Sequence, residues 1–222
     1  MPRIARLVVP GLPHHITQRG NRRQKVFFKD ADKKAYLEIL KAQCQRFGVA
    51  IWSYCLMDNH VHFVAVPKDK ESLGHTFGQT HRRYTRMVNF RERWRGYLWQ
   101  GRFSSYVLDE AYLYAAVRYV ETNPVKADIV TKAEDYPWSS ARARTLRLQD
   151  DLISDFFLVE EIKDWSNYLA SINNEEVKLF EDHLSAGKPL GSQKFIEKLE
   201  QQTGRILKMI KPGPKPKQPM MS

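Results

Sequence analysis

Apolar positions along the chain switch between two periods, and the switches mark out the elements. Leu12 to Gln18 reads as a strand, ending in the loop Arg19-Gly20-Asn21-Arg22-Arg23. Asp30 stands where an N-cap belongs, ahead of Tyr36, Leu37, Leu40, Cys44 and Phe47 at helical spacing, and Gly48 marks the stop. Two β-rich runs follow, Val49 to Met57 and Val61 to Val66, joined by Asp58-Asn59-His60. Asp and Asn favour turns, so the pair predicts a hairpin. Leu73, Phe77, Tyr84 and Val88 mark a second helix, and Phe103 to Val107 another strand. Asp109 caps a third helix with the stripe Leu113, Ala116, Val117 and Val120. Pro124 is expected to end it, because the residue before a proline avoids helical geometry.

Strand, helix, strand, strand, helix, strand, helix is an order that predicts an α+β fold, an antiparallel sheet with helices packed on it. That domain closes near Trp138 and the Arg142–Arg147 stretch, giving a compact unit over 1–149. From 150 the composition turns acidic. Short helices near 158–171, 174–185 and 192–204 make a small α-helical C-terminal extension over 150–210. Residues 211–222 form a Pro/Lys tail with no means of packing, expected to be disordered. There is no internal repeat.

Composition then narrows the class. With 42% hydrophobic and 12% aromatic residues in 222, the chain is no disordered polymer. No apolar run approaches the roughly 18–20 residues that span a bilayer. The start, Met1 to Arg6, lacks the apolar core and cleavage site of a signal peptide. Two cysteines, Cys44 and Cys55, exclude a disulfide framework and a Cys-rich zinc site. The expectation is a basic cytoplasmic protein without a membrane partner.

The net charge of +11 is uneven. Residues 1–150 hold 26 Lys+Arg against 14 Asp+Glu, and the remainder hold 10 against 11. Arg82, Arg83, Arg86, Arg91, Arg93, Arg95 and Arg102 are opposed only by Glu92, with Tyr84, Phe90, Trp94, Tyr97 and Trp99 between them. Guanidinium groups pair with phosphates and aromatic rings stack on bases, so the mixture reads as a nucleic-acid surface. A solvated arginine-rich helix would be the reading without the rings. Arg19, Arg22 and Arg23 in the first loop join Arg82, Arg83, Arg86, Arg95 and Arg102 as candidate DNA contacts.

Chemistry has one strong candidate location. On a strand His60 and His62 share a face while Val61, Phe63 and Ala65 take the other. The two imidazoles are expected to project together into solvent or a cleft, where they could chelate a divalent cation. His-x-His alone is a weak signal. At 100° per residue Tyr112, Tyr119 and Asn123 fall on one flank of the third helix's stripe, with Tyr119 and Asn123 neighbours at i and i+4. On spacing alone Tyr119 reads more readily as an amphipathic boundary residue, and Asn123 as a helix C-terminal residue before proline. His14 and His15 read as a strand-end pair without a metal role, and His75, His81 and His183 as surface or core-edge residues. The stretch Gly74 to Thr80 lacks the Gly-Lys-Ser/Thr ending of a P-loop.

Met57-Asp58-Asn59-His60-Val61-His62-Phe63-Val64 and Tyr119-Val120-Glu121-Thr122-Asn123-Pro124-Val125-Lys126-Ala127 resemble the two signatures of the HUH single-tyrosine transposases. The resemblance is strongest to the subgroup associated with repetitive extragenic palindromes, related to the IS200/IS605 transposases. Trp99-Gln100-Gly101-Arg102-Phe103 and Tyr136-Pro137-Trp138-Ser139-Ser140 share it, and the likeness spans roughly residues 1–145. It implies a ferredoxin-like HUH palm, with His60 and His62 as metal ligands and Tyr119 as nucleophile. Asn123 would be the third ligand, where relatives often carry Gln. It further implies Mg²⁺ or Mn²⁺, single-stranded or hairpin DNA as partner, a homodimer, and a 5′-phosphotyrosine intermediate with a free 3′-hydroxyl. Tyr112 and Tyr114 are rival nucleophiles. A sequence-specific DNA-binding protein without catalytic turnover is the alternative, and a small-substrate metal hydrolase a weaker one.

Overall fold

The computed structural model describes residues 6–171, 180 and 189–207. Four strands form one sheet among the described residues: β1 (His14–Arg19), β2 (Val49–Met57), β3 (His60–Pro67) and β4 (Ser104–Val107), in the order β2-β3-β1-β4. Every neighbouring pair is antiparallel. The β2–β3 hairpin turns at Asp58-Asn59, as the turn-forming pair predicts. Asp58 is tied down by Lys25 (3.1 Å) and Lys33 (2.9 Å).

Helices cover both faces. On one, α1 (Asp30–Phe47) and α2 (Ser72–Glu92) bring Tyr36, Leu40, Leu73, Phe77 and Tyr84 against Ile16, Tyr54, Leu56, Val61, Phe63 and Ala65. On the other, α3 (Glu110–Glu121) lays its stripe Leu113, Ala116, Val117 and Val120 against Cys55, Met57 and Val64. The period-2 alternation of β3 is therefore used twice, with Val61, Phe63 and Ala65 facing α1 and α2 and the histidine face turned towards α3. The sequence anticipated the histidine face open to solvent or a cleft. Instead His62 is only 5% exposed, because α3 and the chain beyond it cover that side.

Local signals hold in most places. Gly48 closes α1 at φ +64°, a left-handed conformation that glycine adopts at no steric cost. Asp109 caps α3 by accepting the Tyr112 amide at 3.0 Å. Two boundaries differ. Asp30 is the first helical residue, not the cap. The terminus is closed by Asp32, whose carboxylate accepts the amides of Phe28 (2.9 Å) and Lys29 (3.3 Å), while Asp30 accepts the Trp138 indole N–H at 3.0 Å. Pro124 does not end the helical path outright. α3 stops at Glu121, Thr122 breaks the path, and a further turn, α4 (Asn123–Lys126), holds Pro124 in its first positions, where a missing N–H costs nothing.

Downstream, α5 (Ser140–Leu146), α6 (Phe157–Glu161) and α7 (Trp165–Ala170) follow. The helix expected near 158–171 is thus two, broken at Ile162–Asp164, where Asp164 caps α7 through the Asn167 amide. Trp165, Tyr168, Leu169, Phe180 and Leu190 join the core under α3. The helix expected over 174–185 lies outside the described residues apart from Phe180, as does the tail expected over 211–222. Residues 1–191 form one compact unit and 192–222 a second. The described part of the second is centred on the helix Gln193–Thr203, capped by Ser192 and closed by Gly204 at φ +65°. Among the described residues, no helix is long and apolar enough to cross a membrane.

Candidate active site

Strand β3 begins with the residues that matter. In register, Arg19 lies opposite His60 and Thr17 opposite His62. His60 and His62 share the face under α3 with ring centroids 5.0 Å apart and planes nearly perpendicular. Across from them, α3 delivers Tyr119, whose ring meets His62 edge-on at 5.5 Å. One turn on, Asn123 donates its Nδ2 to the Tyr119 carbonyl at 3.3 Å and turns its Oδ1 towards His60 Nε2 at 3.4 Å. The i, i+4 adjacency read from the sequence survives the break at Thr122 because α4 resumes helically at once.

Hydrogen bonds orient both imidazoles. His60 Nδ1 lies 2.6 Å from Asn59 Oδ1, and His62 Nδ1 lies 3.0 Å from His15 Nε2. In both rings Nδ1 is engaged and Nε2 is left for another use. Burial lowers the pKa of His60 and of His62, the latter further through neighbouring His15, His60, Arg19 and Lys126. Both are therefore neutral bases at physiological pH. A neutral His60 has one N–H, and giving it to Asn59 leaves a lone pair on Nε2 facing the lone pairs of Asn123 Oδ1.

Two acceptors 3.4 Å apart is the spacing a cation fits. Donors about 2.1 Å from an octahedral cation and at right angles to each other stand about 3 Å apart. The donor set is two imidazole nitrogens, which suit first-row transition ions, and one amide oxygen, which suits harder cations such as Mn²⁺. Among the described residues, no three His, Cys, Asp or Glu side chains converge on a common point, so the amide of Asn123 is needed to complete the set.

Three residues that sequence reasoning missed complete the surroundings. His15, read as a strand-end histidine, stacks on His62 at 5.2 Å. Its pKa is lowered by burial to about 3. Lys126 Nζ lies 4.0 Å from the Tyr119 ring centroid. Phe180, from the chain beyond residue 150, packs on Tyr119 (4.9 Å) and His15 (5.2 Å). Of these only Lys126 lay inside a quoted motif.

Tyr119 also has a fixed rear support. Glu121, fully buried, accepts the Ser140 hydroxyl at 2.6 Å and the Trp165 indole N–H at 2.7 Å, binding α3 to α5 and α7. Burial pushes its carboxyl up to about 7. The rival tyrosines sit elsewhere. Tyr114 donates its hydroxyl to Glu161 of α6, which pushes its pKa up to about 12, and Tyr112 lies in the first turn of α3.

The arginines divide. Arg19, Arg22, Arg23, Arg82, Arg83, Arg86, Arg95 and Arg102 are all exposed. Arg91 is spent on the buried Asp32 and on Glu92 at 2.5 Å. The interleaved rings divide as well. Tyr84 and Trp99 are core residues, with the Tyr84 hydroxyl donating to the Val26 carbonyl at 2.6 Å, so neither can stack on a base. Phe90, Trp94 and Tyr97 are exposed.

Comparison with known proteins places this geometry. The family model described as "Transposase IS200 like" matches residues 8–123, just over half of the 222 residues. Among solved structures, a REP-associated tyrosine transposase bound to a REP hairpin is similar with TM-score 0.57 and 18% identity, over 70% of this chain and 95% of that one. A structure assigned as a transposase from Deinococcus radiodurans R1 has 19% identity and TM-score 0.39, over 54% and 96% of the two chains. No curated protein matches the sequence. The hairpin-bound structure shares the α+β fold described above.

Proposed function

Because the chain belongs to the IS200-like transposase family, we propose that it cleaves and rejoins single-stranded DNA beside palindromic hairpins, with Tyr119 as nucleophile. One observation carries the reading. His60 Nε2 and Asn123 Oδ1 face each other at 3.4 Å while the Tyr119 ring stands against His62, so ligands and nucleophile share one face of the sheet. The hairpin carried by the structurally similar transposase supports the choice of substrate.

His60, His62 and Asn123 would hold Mg²⁺ or Mn²⁺, which when bound supplies positive charge at a non-bridging phosphate oxygen. Asn59 Oδ1 accepts from His60 Nδ1 and so leaves His60 Nε2 as a donor to the ion, while His15 orients the His62 ring through its Nδ1. Tyr119 attacks phosphorus through its phenolic oxygen. The O–P bond to tyrosine forms, the bond to the 3′-oxygen breaks, the phenolic proton passes to solvent and the leaving oxygen takes one up. The 5′-phosphotyrosine keeps the phosphodiester's energy, so a second strand's 3′-hydroxyl can reverse the step and join new ends. Lys126, its ammonium over the Tyr119 ring, favours negative charge developing on that phenol. Arg19, paired in register with His60, offers a guanidinium to the backbone beside the scissile phosphate.

The test is incubation of the protein with palindrome-flanked single-stranded oligonucleotides and Mn²⁺ or Mg²⁺, followed by denaturing electrophoresis. A covalent protein–DNA band is expected from the wild type and none from Tyr119→Phe, with DNA affinity unchanged. An adduct from Tyr119→Phe removes Tyr119 as nucleophile. Tight DNA binding with no adduct under any metal favours a binding protein without turnover.

A further inference from the structure

The aromatic rings of the arginine-rich stretch show an unusual distribution of exposure. Phe90 and Tyr97 are each 88% exposed and Trp94 45% exposed, all within eight residues of one another. Large rings left in water on a folded surface are a cost that calls for an occupant. The backbone holds them in a defined shape. α2 ends with Arg93 in the left-handed region at φ +58°, and Gly96 turns the chain at φ +98°. The Asn89 carbonyl accepts the Trp94 amide at 2.9 Å, and its side chain donates to the Gly96 carbonyl at 3.0 Å. Trp94 is braced edge-on by Phe28 at 5.6 Å.

Two hollows flank this strip. The larger, about 680 Å³, has a floor of buried Leu98 and Trp99 and is bordered by Arg82 and Arg86. The smaller, about 400 Å³, is bordered by Arg22 and Arg95. They share Asn89, Trp94, Gly96, Tyr97 and Leu98 as a common wall, and no acidic residue lines either. An apolar floor, ring faces at the rim and guanidinium groups around it match a nucleotide, whose base stacks while its phosphate pairs with arginine.

The strip is also joined to the catalytic strand. Asn21 donates its amide to the Leu98 carbonyl (2.8 Å), Gln100 to that of Arg19 (2.9 Å) and Gly20 to that of Asn59 (2.8 Å). Arg19 stands opposite His60 in the sheet. Backbone hydrogen bonds therefore tie the strip that walls the hollows to the strand ends carrying Arg19, Asn59 and His60.

We propose that the hollows either side of the Trp94–Leu98 strip are base sites, each taking an unpaired base of single-stranded DNA next to the cleavage point. This rests on the reading of the chain as a single-stranded DNA transesterase. It adds that the protein itself grips unpaired bases through Tyr97, Phe90 and Trp94. Bases within a duplex are already stacked on each other and cannot enter, so the sites favour unpaired flanks over the hairpin stem.

The probe is a fluorescently labelled twelve-nucleotide thymidine strand, compared by anisotropy with a strand of equal length and charge carrying abasic sites at its centre. Each base stacked on an aromatic ring is worth about tenfold in affinity. The wild type is expected to bind the complete strand about tenfold or more tightly than the abasic one. Tyr97→Ala and Phe90→Ala, surface changes whose folding is checked by circular dichroism, are expected to erase most of that preference and to leave the salt-dependent phosphate binding. Equal affinity for both strands in the wild type, or a preference untouched in both variants, overturns the proposal. So does a change of oligomeric state in the variants, by sedimentation, with the strand preference intact, since the rings would then face a second copy. Covalent adduct formation, scored in parallel with the palindromic substrate, separates the two readings. An adduct without base preference sinks the base sites alone, and base preference without an adduct sinks the transesterase reading alone.

Discussion

Replacing Glu121 tests whether the rear of α3 controls the chemistry at its front. Its carboxylate is the acceptor for two buried donors, the Trp165 indole N–H and the Ser140 hydroxyl. Glu121→Ala strands the indole N–H, a loss of about 1–3 kcal/mol for a buried unsatisfied donor. The Ser140 hydroxyl has alternatives in the Tyr54 carbonyl and Ser53 Oγ, both at 3.3 Å, so its share is smaller, about 1 kcal/mol. The sum is about 3 kcal/mol of folding stability. Glu121→Gln keeps an oxygen for Trp165, and its amide can donate to Ser140 Oγ while that hydroxyl turns to Tyr54, so its cost is about 1 kcal/mol or less. Tyr119 sits two residues earlier on the same helix, and a misplacement of about 1 Å at a reacting group can cost about 100-fold in rate. Single-turnover adduct formation should therefore fall by about two orders of magnitude in Glu121→Ala and little in Glu121→Gln, with DNA affinity constant in both, because none of the exposed arginines touches Glu121. Urea denaturation gives the stabilities and a denaturing gel the rates. A Gln variant as weak and as slow as Ala, or an Ala variant as stable and as fast as wild type, refutes the anchoring argument.

Three further outcomes follow from the same geometry. His15→Phe keeps a ring stacked on His62 but removes the partner of its Nδ1, so Mn²⁺ affinity measured by calorimetry should drop about 10–100-fold with the fold intact; unchanged affinity would mean His15 only fills space. Lys126→Met removes the cation over the Tyr119 ring, an interaction of about 0.5–2 kcal/mol, and should slow adduct formation by roughly 2–30-fold while leaving Mn²⁺ affinity alone. His81, between the Tyr36 hydroxyl (3.0 Å) and the field of Arg6, is lowered by burial to about 3. The unfolded chain takes up a proton on it below about 6.5 and the folded chain does not, so its stability contribution is complete above that pH and declines as pH falls towards 3. By pH 5 the loss is about 2 kcal/mol, and the fall in wild-type stability between pH 7 and 5 should shrink by that amount in His81→Gln; an unaltered fall would show that His81 is protonated in the folded state.

The parts legible in the sequence are those set by local rules. Leu113, Ala116, Val117 and Val120 all prove buried, because a helix laid on a sheet must bury whatever its 3.6-residue period aligns. Asp58-Asn59 sets the hairpin, and alternation puts His60 and His62 on one face, because both are statements about neighbours in the chain. What failed was non-local. β1 lies beside β3 through the order β2-β3-β1-β4, and only that pairing brings His15 onto His62. Phe180 reaches Tyr119 from sixty-one residues downstream, with no periodic relation to it. The arginine-rich stretch is an intermediate case, since a local rule was available and pulled against composition. Tyr84 stands seven residues after Phe77 and four before Val88, on the buried stripe of α2, whereas Phe90 stands off it. Helical phase alone therefore separates the core ring from the surface ring, although composition treats them alike. The same argument constrains the site. Tyr119 flanks its stripe, so a helix with Val120 and Glu121 buried behind it must present that tyrosine at the edge facing β3. The position of the proposed nucleophile is therefore a consequence of how α3 packs, and any substitution that rotates the stripe will move Tyr119 away from His62 before it unfolds the sheet.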